Sequence, residues 1–153
     1  MAIEIKVGIG EVKVARGDII LSAYGVGSCV VLVFYESNTH TGGLAHILLP
    51  QGADGSFKHP KGAVEELLKQ FEEMGIEKNQ IIAKMAGGST MFGELLQRSI
   101  GERNVSETKE QLKRHSIPLV AEDVHGNWGR TIFFNLNTGK VLIKSYRFGE
   151  KVI

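Results

Sequence analysis

The chain has 153 residues, 42% of them hydrophobic and 23% charged, with a net charge of +1. That length suits one domain, residues 1–153, and the balance excludes the strong basic field that nucleic-acid binding or an anionic membrane surface requires. A single cysteine excludes an internal disulfide framework, and no apolar run approaches the ~20 residues that span a bilayer, so a reducing cytoplasm is the expected setting.

The opening residues Ile3 to Val7 alternate apolar and charged side chains, which predicts a strand and not the continuous apolar stretch of a signal peptide. Val12 to Ala15 and Ile19 to Tyr24 are further short strands, bounded by Gly8, Gly10 and Gly17. Val30 to Tyr35 is apolar throughout, the pattern of a strand buried on both faces. A polar turn from Glu36 to Thr41 leads to another strand, Gly43 to Leu49, stopped by Pro50. After a glycine-rich loop, Pro60 opens a helix in which Val64, Leu67, Leu68, Phe71 and Met74 recur at helical spacing, and Gly75 ends it.

Ile81 to Ala86 predicts a strand running into Gly87-Gly88. A second, polar helix is expected on the surface from about Asn104 to His115. Ile117 to Asp123 is a strand, and Thr131 to Asn135 with Val141 to Tyr146 form a hairpin around Asn137-Thr138-Gly139. Strands outnumber helices and do not alternate regularly with them, which predicts an α+β fold with mixed sheets.

The only thiol, Cys29, follows the glycine turn Gly25-Val26-Gly27-Ser28 and precedes the buried strand. The strand would hold a nucleophile rigidly, the side-chain-free glycines would admit a substrate, and backbone N–H groups of the Gly27–Ser28 turn would face a developing oxyanion. The alternative is a small buried residue at a strand start, since cysteine is among the most buried types. A thiol nucleophile also needs a base. Of five histidines, His40, His59 and His115 lie in a polar turn, a polar loop and a helix end, where solvated or dipole-favoured roles suffice. His46 interrupts an apolar strand, where a polar ring is costly without a partner, and pairing of its strand with Val30–Tyr35 would bring it near Cys29.

Other motifs carry less. Gly87-Gly88-Ser89-Thr90 lacks the lysine and spacing of a P-loop, and Gly25-x-Gly27 lacks the third glycine of a dinucleotide fingerprint. Asp18, Asp54 and Asp123 show no ligand spacing, so no metal is expected. Asn127-Trp128-Gly129-Arg130 joins an aromatic ring to a cation, either flanking a substrate cleft or partner site through Asn127 and Arg130 or forming a surface turn.

Gly27-Ser28-Cys29-Val30 followed by Gly43-Leu44-Ala45-His46 and Leu49-Pro50 resembles the chemoreceptor glutamine deamidases, the CheD family. The resemblance continues through Lys84-Met85-Ala86-Gly87-Gly88, Met91-Phe92, Ile100-Gly101-Glu102-Arg103-Asn104 and Asp123 to Arg130, covering nearly the whole chain. It implies a three-layer α/β/β sandwich similar to deamidating-toxin cysteine hydrolases, with Cys29 as nucleophile and His46 as base and no cofactor. It implies hydrolysis of glutamine side chains to glutamate on methyl-accepting chemotaxis receptors, and regulation by a CheC-type phosphatase. Two positions depart from the pattern: Ala23 stands where a threonine that orients the histidine is common, and His125 stands where glycine is more usual. A backbone carbonyl, or Ser22 if its strand is bulged, would then orient the imidazole. The alternatives are a non-catalytic adaptor for receptor or CheC, and a thiol amidase of small substrates.

Overall fold

A computed structural model describes residues 2–52, 54–91 and 99–153; Phe92 of the family-like pattern lies outside them. In chain order the elements are β1 (Ile3–Lys6), β2 (Val12–Arg16), β3 (Ile19–Val26), β4 (Val30–Glu36), β5 (Thr41–Ile47), α1 (Pro60–Glu73), β6 (Ile82–Gly87), α2 (Ile100–Arg114), β7 (Leu119–Val124), β8 (Arg130–Asn135), β9 (Val141–Ser145) and β10 (Gly149–Val152). A short 3-10 turn at Lys78–Gln80 precedes β6.

Among the described residues two five-stranded sheets form, in the orders β1-β3-β8-β9-β10 and β2-β5-β4-β6-β7. Each is mixed: β1 runs parallel to β3 and β6 parallel to β7, while the remaining pairs are antiparallel. The middle layer follows from β4, whose seven residues are all buried. Side chains alternate between the faces of a strand. Val30, Leu32 and Phe34 therefore join the core beneath the helices with Val64, Leu67, Phe71, Val105 and Leu112. Val31, Val33 and Tyr35 join the core between the sheets with Leu21, Ala23, Ile132, Phe134 and Ile143. The result is the expected α+β sandwich of mixed sheets in three layers, helices over one sheet and that sheet over the other.

Two expectations for the second helix need correction, and one strand is added. Helix α2 begins at Ile100, four residues before Asn104, because Ser99 caps it by accepting the Glu102 N–H at 3.1 Å. It is not wholly a surface helix: Asn104, Val105, Thr108, Gln111 and Leu112 are buried, and this inward face is too polar to give an apolar stripe. The last strand, β10, went unexpected because all four residues are exposed, and it is held through backbone pairing with β9. No described helix is long and apolar enough to cross a membrane.

Candidate active site

The turn joining β3 to β4 is tied down through its carbonyls. Gly27 O accepts the Ser89 N–H at 3.0 Å and Cys29 O accepts the Gly88 N–H at 2.8 Å. Ser28 O accepts from the Asn104 side-chain amide at 2.9 Å. The Gly87-Gly88 corner makes this closeness possible. A Cβ on Gly87 would stand 2.4 Å from Cys29 O, and Gly87 and Gly88 have φ values of +108° and +66°. The expected turn residues Gly27 and Ser28 thus sit directly before a braced nucleophile candidate.

His46 reaches the same face. In the β4–β5 ladder Val31 opposes His46 and Val30 opposes Ile47. Opposed residues share a face, and so do residues two apart on one strand. Cys29, one residue before β4 begins, lies in the same inter-sheet core cluster as Val31, the ladder partner of His46. Both are buried, at 7% and 3% exposure, and Cys29 is a free thiol.

The imidazole is oriented by main chain. Its Nδ1 lies 3.1 Å from Val7 O. A carbonyl can only accept, so Nδ1 carries the proton and Nε2 keeps its lone pair. Nε2 is buried with no hydrogen-bond partner among the described residues. Val7 is itself fixed, its N–H donating to Ser22 O at 2.8 Å, while Glu11 O and the Gly10 N–H bind the His46 backbone at 3.2 and 2.9 Å. Burial lowers the His46 pKa from 6.5, against opposing help from Val7 O and the Glu11 charge. Burial raises the Cys29 pKa from 9.0, only partly offset by its own backbone N–H. Both environments favour a neutral thiol and a neutral imidazole.

The Ser22 hydroxyl does not orient the histidine. It donates to Glu4 Oε2 at 2.8 Å, on the face away from the inter-sheet core, and the bulge in β3 falls between Ala23 and Val26, too late to rotate Ser22 inward. Ala23 does face inward, in the same apolar cluster as Cys29, and the contact at His46 Nδ1 is made by Val7 O instead. Arg130 is likewise not a loop cation available to a partner. Its side chain is fully buried at the start of β8, pairing with Asp123 Oδ2 at 3.1 Å and donating to Ser89 Oγ at 2.8 Å and His125 O at 3.0 Å. It holds the Gly87–Ser89 corner and the 123–130 segment together. Asn127 is exposed, accepting from Arg147 Nη1 at 3.0 Å. Trp128 and Gly25 help line a pocket of about 440 Å³ with Thr131, Lys144 and Tyr146.

His125 has φ +71°, a left-handed conformation that explains why glycine suits its position. His59, expected in a solvated loop, is buried, with Nε2 3.2 Å from Asp54 Oδ1. Among the described residues no group of three or more His, Cys, Asp or Glu side chains is arranged to hold a metal. Two contributors escaped the sequence reading. Val7 acts through a main-chain atom that leaves no residue-type signal, and Asn104 had registered only as a helix start and part of a motif.

A family model described as CheD chemotactic sensory transduction matches residues 48–145. The chain belongs to the CheD family. It is 41% identical to a probable chemoreceptor glutamine deamidase CheD of Archaeoglobus fulgidus, over 98% of each chain. It is 42% identical to a protein of the same description from Pyrococcus abyssi, over 99% of this chain and 98% of that one. A CheD-named relative from Clostridium botulinum is 40% identical over 98% of both. The chain also resembles, in fold alone, the crystal structure of a Neisseria meningitidis protein of the DUF152 family. That likeness has TM-score 0.53 and 11% identity, covering 81% of this chain and 64% of the other.

Proposed function

We propose that this CheD-family chain hydrolyses glutamine side chains of methyl-accepting chemotaxis receptors to glutamate, with Cys29 as nucleophile and His46 as base. The observation that supports the reading is that Val31, which shares a core cluster with Cys29, pairs with His46, whose Nε2 has no hydrogen-bond partner among the described residues. The names of the full-length relatives supply the substrate.

The chemistry needs no cofactor. The Cys29 thiol proton passes to His46 Nε2 as Sγ bonds to the carboxamide carbon, and the carbonyl π electrons move to oxygen. N–H groups of the turn around Ser28 and Cys29 stabilise that oxyanion. When the C=O reforms, the C–N bond breaks and Nε2–H protonates the departing nitrogen, releasing ammonia and leaving a thioester. Water then gives a proton to Nε2 and attacks the thioester. Collapse breaks the C–S bond, the proton returns to sulfur, and glutamate is left. The new charge on the receptor helix is the signalling output. Asn127 and Trp128 flank the substrate in this reading, a CheC-type phosphatase is the regulatory partner, and the cytoplasm is the compartment.

The test is receptor deamidation followed by mass spectrometry with wild type and Cys29→Ala. Conversion by wild type and none by the variant is expected. Equal conversion by both would remove Cys29 from the chemistry, and receptor binding without conversion by wild type would point to an adaptor.

A further inference from the structure

Asn104, on the first turns of α2, is fully buried, and its amide reaches two segments that come from different parts of the chain. Nδ2 donates to Ser28 O at 2.9 Å and to Leu48 O at 3.0 Å. The first carbonyl immediately precedes Cys29, and the second lies two residues beyond His46. Two acceptor oxygens at these distances require the NH2 end of the amide, so both its protons are spent there. Oδ1 is left buried without a partner among the described residues.

An amide so placed is a poor way to fill space, because an unsatisfied buried oxygen costs stability that an apolar side chain would not. What it supplies is geometry. A rigid planar group holds the nucleophile turn and the end of the base strand at a fixed spacing. Its own platform is firm: a Cβ on Gly101 would stand 2.2 Å from Ser89 O, so the helix start seats directly on the Gly87–Ser89 corner. That corner also receives Cys29 O through the Gly88 N–H.

We propose that Asn104 is a positioning residue for the Cys29–His46 pair, setting the distance between them through the Ser28 and Leu48 carbonyls. The inference rests on the reading of Cys29 and His46 as nucleophile and base.

The test uses the full chain and Asn104→Asp, which keeps the volume and turns carboxylate oxygens toward both carbonyls. Receptor deamidation is expected to lose kcat by roughly 10–100-fold, the scale of small misplacements of reacting groups, with KM nearly unchanged. Alkylation of Cys29 by iodoacetamide, unambiguous because it is the sole cysteine, is expected to lose the part of its pH profile that His46→Gln also removes. Gln111→Ala, on the same buried helix face, is the control and is expected to leave both readouts unchanged. If Asn104→Asp does not fold, Asn104→Ser is read in its place and is expected to lower kcat and flatten the profile less severely. Wild-type kcat and an unaltered profile in whichever variant folds, or equal losses in Gln111→Ala, would overturn the proposal. Cys29→Ala run in parallel separates the two readings. Continued conversion by that variant defeats the nucleophile assignment, whereas its inactivity beside a fully active Asn104 variant defeats the positioning role alone.

Discussion

Replacing Gly87 by alanine tests the corner that seats Cys29. The new Cβ would lie 2.4 Å from Cys29 O and 2.9 Å from Val26 Cγ1, and the φ of +108° would remain. The left-handed backbone alone costs ~1–2 kcal/mol in a residue with a Cβ. Relieving the clash costs a further ~1–3 kcal/mol, the range for overpacking, and lies toward the upper end because the atom struck is backbone. The total, about 2–5 kcal/mol, is a large part of an ordinary domain stability of ~5–15 kcal/mol. Gly25 provides the comparison: φ is +64° and a Cβ there meets nothing within 4 Å, so Gly25→Ala should show only the backbone cost. Urea unfolding of the two variants measures the difference, and receptor deamidation reports whether Cys29 has moved. Gly87→Ala is expected to unfold at clearly lower urea and to lose ~100-fold in rate, as misplaced reacting groups do. A Gly87→Ala protein matching Gly25→Ala in midpoint and wild type in rate would refute the account of the corner.

The buried Arg130 should be costly to truncate. Arg130→Ala removes the buried partner of Asp123, which keeps only the exposed Lys151, and one of the partners of Ser89 Oγ and His125 O; it is expected to destabilise toward the lower end of ~3–5 kcal/mol, whereas Arg130→Met with Asp123→Asn should recover much of that loss by urea unfolding. The pH dependence of stability should carry a His46 component. Burial lowers its folded pKa below 6.5, so the unfolded chain binds more protons in that window. The stabilisation is therefore present above 6.5 and is lost as the pH falls through the folded value; urea midpoints measured downward from neutrality should drop more steeply in wild type than in His46→Gln. Cys29 has the opposite sign, its contribution being complete below 9.0 and lost as the pH rises through its higher folded value.

Much of this architecture was legible in local pattern. The unbroken apolar run of β4 marked a strand buried on both faces, and the turn before it isolated the thiol from an otherwise ordinary core. His46 stood out because a polar ring interrupts an apolar strand. What escaped was information carried by main-chain atoms or by polar packing. The acceptor for His46 Nδ1 is a carbonyl, which every residue type carries. The inward face of α2 uses Asn104, Thr108 and Gln111, so its periodicity resembles that of a solvated helix. Arg130 beside an aromatic in a Gly-flanked segment has the composition of a surface turn, and only the partners at Asp123, Ser89 and His125 explain its burial.

The main-chain acceptor for the histidine has a consequence for its robustness to substitution. No replacement at residue 7 can delete an oxygen that belongs to the peptide bond, so the tautomer of the His46 ring is insulated from point mutation there. What holds that oxygen on the ring is the path of the backbone from β1 toward β2, so a change that displaces this segment, rather than one that alters a side chain, is what would release the imidazole.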